Sequence, residues 1–151
     1  MLRVDHVVFP IWNPKASLAF YRDVMGFKLI NAFSGPDWGG YPWLMMIFSP
    51  GDGREVVLVA LKGAKKPKAN GLAKDTQHLA FGEASAAALS KWRKKLKAAK
   101  IAFWEESHGT QKSIYFEDPN GMILEVTAPP SRAKGKTAAK ALAHATEWMA
   151  A

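Results

Sequence analysis

The apolar positions trace one series of elements and then repeat it. Val4-Asp5-His6-Val7-Val8-Phe9 returns as Thr76-Gln77-His78-Leu79-Ala80-Phe81, each an apolar run with a histidine in third place. The first run predicts a strand over 3–11, buried because it is mostly apolar. Asn13-Pro14 reads as an N-cap followed by proline at the first helical position. The helix that follows is expected to reach Met25, with Leu18, Tyr21 and Met25 on one face and Gly26 as a left-handed stop. Strands are expected at 27–33, 43–49 and 55–61, separated by a glycine, proline and tryptophan loop over 34–42 and a turn at Pro50-Gly51-Asp52-Gly53.

A lysine, glycine and proline linker follows, and the pattern restarts. A strand is expected at 77–82, then a helix from Ser85 to Lys100 with Leu89, Trp92, Leu96 and Ala99 inward. Further strands are expected at 101–104, 113–117 and 122–127, with His108 in the loop between the first two and Asp118-Pro119-Asn120-Gly121 as the last turn. Pro129-Pro130 ends the unit. Thr137 to Ala151 is an alanine-rich helix candidate with Leu142, Ala145 and Met149 on one side, an appendage expected to pack on the body or on a second subunit. The order is strand, helix, three strands, written twice. It divides the chain into a first βαβββ module (1–62), a linker (63–74), a second βαβββ module (75–130) and a C-terminal helical appendage (131–151), in the α+β class. A module of this size leaves one sheet face bare, so the two are expected to pack against each other, with the strand side chains converging on that face.

Composition narrows the chemistry. At 151 residues the chain holds one domain or two half-domains sharing a core. It has no cysteine, which removes disulfides, thiolate ligands and cysteine nucleophiles and leaves His, Asp and Glu as candidate ligands. That fits a cytoplasmic protein. No signal-peptide core precedes the first strand and no apolar stretch reaches membrane-spanning length, so no membrane partner is expected. The net charge of +8 lies on the linker, the second helix and the tail; without a nucleic-acid motif it reads as solvated lysines rather than a nucleic-acid surface. In the last strand, Met122-Ile123-Leu124-Glu125-Val126 puts a carboxylate inside an apolar run, where an ionised group needs a partner. Two imidazoles and a carboxylate on rigid strands have the make-up of an open divalent-metal site. Each histidine taken alone reads equally as a satisfied core side chain.

Three segments together resemble the vicinal oxygen chelate superfamily: Asp5-His6-Val7-Val8; Ser17-Leu18-Ala19-Phe20-Tyr21-Arg22-Asp23-Val24-Met25-Gly26-Phe27; and Ser113-Ile114-Tyr115-Phe116-Glu117-Asp118-Pro119-Asn120-Gly121 running on to Glu125. Members of that family include glyoxalase I, extradiol dioxygenases, methylmalonyl-CoA epimerase, fosfomycin-resistance transferases and bleomycin-binding proteins. The resemblance covers roughly residues 3–128 and implies paired modules forming a cupped mixed sheet around a central cavity with one divalent metal ion (Fe2+, Mn2+, Ni2+, Co2+ or Zn2+). It maps the metal ligands to His6, His78 and Glu125. Aligning Gly53 with Gly121 puts Val57 where Glu125 stands, so the fourth ligand of glyoxalase I and the epimerase is missing; Glu55, two residues earlier on the same strand face, is the alternative. The segment from His108 to Tyr115 is similar to a His-Gly segment of small extradiol dioxygenases, which implies a catalytic pair assisting proton transfer. The other reading is a surface histidine and a core tyrosine. Trp38, Tyr41 and Trp43 wall a substrate pocket, form a dimer contact, or simply pack.

The resemblance therefore implies an enzyme acting on a small-molecule substrate that chelates the metal through vicinal oxygens. Extradiol-dioxygenase-like oxidoreductase chemistry comes first and glyoxalase-type lyase or isomerase chemistry next. The alternative from another class is a metal-free drug-sequestering protein like the bleomycin-resistance relatives. A homodimer is implied, with the site built either within one chain or across two.

Overall fold

Each half of the chain folds into a four-stranded mixed sheet with a helix on one face. The structure is a computed structural model that describes residues 2–129 and 138–151. In chain order the elements are β1 (His6–Ile11), α1 (Pro14–Ala19) running into a π-helical turn (Phe20–Val24), β2 (Lys28–Trp38), β3 (Tyr41–Ser49), β4 (Glu55–Leu61), β5 (His78–Gly82), α2 (Ala86–Ala98), β6 (Phe103–His108), β7 (Gln111–Glu117), β8 (Ile123–Ala128) and α3 (Ala138–Ala150). The sheets have the orders β1-β4-β3-β2 and β5-β8-β7-β6. In both, the first strand pairs parallel with the last and the other pairs are antiparallel. The α+β class and the repeated module are those expected. The expected unit boundary at 130/131 and the basic residues Arg132, Lys134 and Lys136 lie outside the described residues.

Local chemistry accounts for the first helix. The Asn13 side chain accepts the Ala16 N–H at 3.1 Å and Pro14 needs no partner for its nitrogen. The last turn widens, with Met25 N–H donating to Phe20 O at 3.0 Å, and Gly26 stops it at φ +75°. Widening turns Ser17, Phe20, Tyr21 and Met25 all inward, a broader buried face than simple helical spacing predicts.

The segment 34–42, expected as a loop, is instead the tip of a long hairpin. β2 and β3 continue to Trp38 and Tyr41 and are joined by Gly39-Gly40, whose φ values of +62° and +92° suit the two-residue turn that matches strand twist. The proline and tryptophans around it mask the alternation. Gly40→Val is expected to cost about 1–2 kcal/mol, the left-handed penalty for an L-residue, since open space around Gly40 removes any clash from the comparison. Urea unfolding would read it.

The modules share one core. Val7, Phe9 and Ile11 of β1, Val56, Leu58 and Ala60 of β4, Leu79 and Phe81 of β5, and Leu124, Val126 and Ala128 of β8 all join it with residues of both helices. Phe20 meets Phe116 at 6.3 Å and Phe27 meets Phe81 at 5.2 Å across the boundary. The modules thus meet through their helix-side faces, and the alternate residues of β1, β4, β5 and β8 point away from the shared core. β1, expected to be well buried, is accordingly exposed at His6, Val8 and Pro10.

The β7–β8 turn pins the modules. Asn120 Oδ1 accepts the Trp12 N–H at 2.9 Å, and its amide donates to Ser17 Oγ at 2.9 Å. Tyr21 donates its hydroxyl to Asp118 Oδ2 at 3.1 Å. Burial, then the Asp118 charge, pushes that phenol far above its ordinary range, so it stays a donor. The side chains described in α3 are all exposed, Trp148 at 79%.

Candidate metal centre

Glu125 sits in the middle of β8, opposite Tyr115 of β7 and beside Ala80 of β5. Alternation puts Ile123, Glu125 and Thr127 on the face turned away from the shared core, with Ser113 and Tyr115 next to them, and all five side chains are buried. One carboxylate oxygen, Oε1, takes the Ser113 hydroxyl at 2.5 Å, and that hydroxyl lies 2.9 Å from Thr127 Oγ1. The other, Oε2, lies 3.1 Å from His78 Nε2.

His78 opens β5 on the same face. Its Nδ1 is 2.7 Å from the Asp75 carbonyl, which only accepts, so Nδ1 carries a proton. Neutral imidazole then presents a bare lone pair at Nε2, aimed at a carboxylate oxygen 3.1 Å away. Two acceptors at that distance repel unless a proton or a cation lies between them. An oxygen and a nitrogen donor, each steadied by an outer hydrogen bond, suit a borderline divalent ion.

His6 opens β1 in the same way. Its Nδ1 is 2.8 Å from Asp5 Oδ1, an acceptor, which again leaves Nε2 as the ligating nitrogen. Its side chain is 50% exposed. The structure does not bring it to the other two: among the described residues no group of three His, Asp or Glu side chains is placed to hold one ion. Glu55 lies beside His6 on β4 and Val57 beside Val8, while Ile123 lies beside His78 and Glu125 beside Ala80. Val57 therefore holds the place in the first sheet that Glu125 holds in the second.

His108 ends β6 rather than lying in a loop, because Gly109 at φ +70° makes a tight turn into β7. Its Nε2 is 3.1 Å from the Tyr115 hydroxyl and 3.6 Å from Glu106 Oε2. Trp104 stacks on Tyr115 at 5.2 Å, with its indole N–H on Glu106 at 3.0 Å, and the His78 ring meets the tyrosine edge-on at 5.7 Å. Burial first, then the Glu125 charge, raises the Tyr115 phenol above its usual range and keeps its proton on at neutral pH. Trp104, Glu106 and Ser113 escape sequence reasoning. The only available signal is their even spacing, two or four residues, from His108 and Tyr115 on strands whose pairing the sequence does not reveal.

A cleft of about 400 Å³ lies elsewhere, at the seam between modules, lined by Val7, Phe27, Val56, Leu79, Phe81 and Trp92. His6, His78, Glu125 and Tyr115 take no part in it.

The model of the glyoxalase/bleomycin resistance protein/dioxygenase superfamily matches residues 3–126. The chain belongs to that superfamily. No curated protein sequence matches it. Among solved structures of superfamily type, lactoylglutathione lyase from Agrobacterium tumefaciens is 19% identical, with a TM-score of 0.61 over 83% of this chain and 92% of that one. The fosfomycin resistance protein FosX from Listeria monocytogenes, complexed with Mn(II) and a dihydroxypropylphosphonic acid, is 17% identical, with a TM-score of 0.63 over 86% and 95%. A candidate dioxygenase from Bacillus subtilis is 20% identical at a TM-score of 0.64, covering 82% of this chain, which spans only 39% of that longer one. At these identities the likeness is one of fold, and superfamily membership carries several chemistries. Among the described residues no helix is long and apolar enough to cross a membrane.

Proposed function

We propose that this superfamily member is a divalent-metal-dependent enzyme acting on a small substrate that binds through two neighbouring oxygens. The observation that carries the reading is the face-to-face approach of His78 Nε2 and Glu125 Oε2 at 3.1 Å, each fixed from behind by a hydrogen bond. His78 and Glu125 would hold the ion, and His6, which lies apart from them within the chain, would complete the set from a second copy. When bound, it would supply Lewis acidity to substrate oxygens or, as iron, a site for oxygen activation. With three protein ligands, adjacent positions stay open for a bidentate substrate.

The chain's own residues supply the rest. Tyr115, protonated at neutral pH, offers its hydroxyl to a substrate oxygen beside Glu125. His108, in contact with that hydroxyl, takes or returns its proton, and Glu106 steadies the imidazolium that results. Trp104 and the His78 ring hold the phenol in place. This pair favours dioxygenase-type ring opening. The valine at position 57 counts against four-ligand isomerase chemistry.

Elemental analysis of purified protein tests the reading. About one divalent ion per chain is expected, and none in His78→Ala. A wild-type protein that excludes Mn2+, Fe2+ and Zn2+ in equilibrium dialysis yet binds a planar drug one-to-one would make it a sequestering protein instead.

A further inference from the structure

We propose that the cleft at the seam between the modules is a ligand site in its own right, and that it takes a small organic cation: a protonated amine on an aromatic or branched apolar body. The cleft shares no side chain with the proposed metal centre, so either reading can fail without the other.

The walls set the body of the ligand. At about 400 Å³ the cleft falls within the range of about 300–1,000 Å³ in which small molecules are held. Val7, Phe27 and Val56 of the first module and Leu79, Phe81 and Val126 of the second line it. Phe27 and Phe81 meet edge-to-face at 5.2 Å, so two aromatic rings join across the seam there. Walls of this kind give a bare inorganic ion nothing to replace its water, but they suit an apolar body.

The rim sets the charge. Asp52, Glu55 and Glu83 line the cleft against a single base, Arg54, and Arg54 is bound to Asp52 at 2.7 Å. Lys95 stands close by, 3.5 Å from where a Cβ on Gly26 would lie, with its ammonium over the Trp92 ring at 4.9 Å. Even with Lys95 counted, acids outnumber bases three to two. The chain as a whole carries a net charge of +8, so the acid excess belongs to the cleft and not to the surface at large.

Glu83 is the group built to grip a ligand. Its backbone N–H donates to Thr127 O at 2.8 Å, and its Oε1 takes the Trp92 indole N–H at 2.8 Å. That indole is itself held between Phe116, stacked on it at 6.1 Å, and Lys95. Among the described residues no basic side chain lies within ion-pair distance of Glu83. No buried side-chain polar atom among them lacks a partner, so the unpartnered Oε2 is reached by solvent. One oxygen is locked and the other is open beside an apolar cleft. An ammonium head donates to the open one through a charge-assisted hydrogen bond while its apolar body leaves water. An anion would meet the acid excess, and a neutral molecule would bring no charged donor.

Calorimetry with three probes of similar body and different head tests this: 2-phenylethylamine, 2-phenylethanol and phenylacetate, at neutral pH and low salt. The amine is expected to bind one-to-one, about 10-fold or more tighter than either of the others. Glu83→Gln keeps an oxygen for Trp92, so its urea midpoint is expected to stay while its affinity for the amine falls about 10-fold or more. Val4→Lys sets a positive charge at a cleft position that is 59% exposed, and is expected to weaken the amine and leave the alcohol unchanged. Equal binding of amine and alcohol, no binding of any probe, or an amine affinity untouched by both substitutions would overturn the inference. Amine binding lost in Glu125→Gln but kept in Glu83→Gln would move the cation to the metal centre and overturn it as well.

Discussion

Glu125→Gln is expected to weaken divalent-metal binding on the order of 100-fold or more while leaving the metal-free protein as stable as before, or more so. The two effects have opposite signs for one reason. Without metal, Glu125 Oε2 faces an imidazole nitrogen whose other ring nitrogen already donates to a carbonyl, so the pair needs a proton or cation to be comfortable. Glutamine keeps the shape. Its carbonyl still takes the Ser113 hydroxyl, and its amide N–H now donates to His78 Nε2, converting a conflict into a hydrogen bond worth about 1 kcal/mol. The same change removes the only anionic donor of the pair, and with it most of the attraction for a divalent ion. A chelator-competition titration measures the first effect, and urea unfolding of the metal-free form the second. A variant that binds metal normally but unfolds much more easily would make Glu125 a structural ion-pair partner of His78 and remove the basis for the proposed enzyme.

The repeat made much of this fold legible. His6 and His78 stand at the same place in two similar apolar runs, and Glu125 is conspicuous as a carboxylate among Ile123, Leu124 and Val126. What a repeat cannot convey is which face of each sheet is shared. In β4, Val56, Val57, Leu58 and Val59 are all apolar and all buried, so alternation gives no sign that Val56 and Leu58 look into the common core and Val57 and Val59 away from it. The structural resolution comes from large side chains at long range, Phe20 on Phe116 and Phe27 on Phe81. The same limit hid the surroundings of Tyr115. Ser113 acquires meaning only because β7 pairs with β8 in a register that sets Tyr115 against Glu125, and Trp104 only because β6 sets it against Tyr115. Gly39-Gly40, in a proline- and tryptophan-rich stretch, gave a loop because the residues flanking a tight hairpin turn there do not alternate.

Asn120→Ala should be the most damaging substitution outside the metal centre, lowering stability by about 3 kcal/mol. The side chain is buried at the junction of the modules and works in both directions. Its carbonyl accepts the Trp12 N–H at 2.9 Å and, more weakly, that of Asn13 at 3.4 Å. Its amide donates to Ser17 Oγ at 2.9 Å and to Asp118 Oδ2 at 3.0 Å. Alanine strands the Trp12 N–H and takes a donor from Asp118, which must still hold Tyr21. Each buried polar group left without a partner costs about 1–3 kcal/mol, against about 5–15 kcal/mol for a whole domain. Because these bonds join the first helix to the second sheet, the loss should appear as one cooperative shift of the whole unfolding curve, with Tm falling by about 10 °C. If Asn120→Ala instead melted in two separate transitions, the modules would be independent units held by their linker. The shared core through which the two modules pack would then not exist in solution.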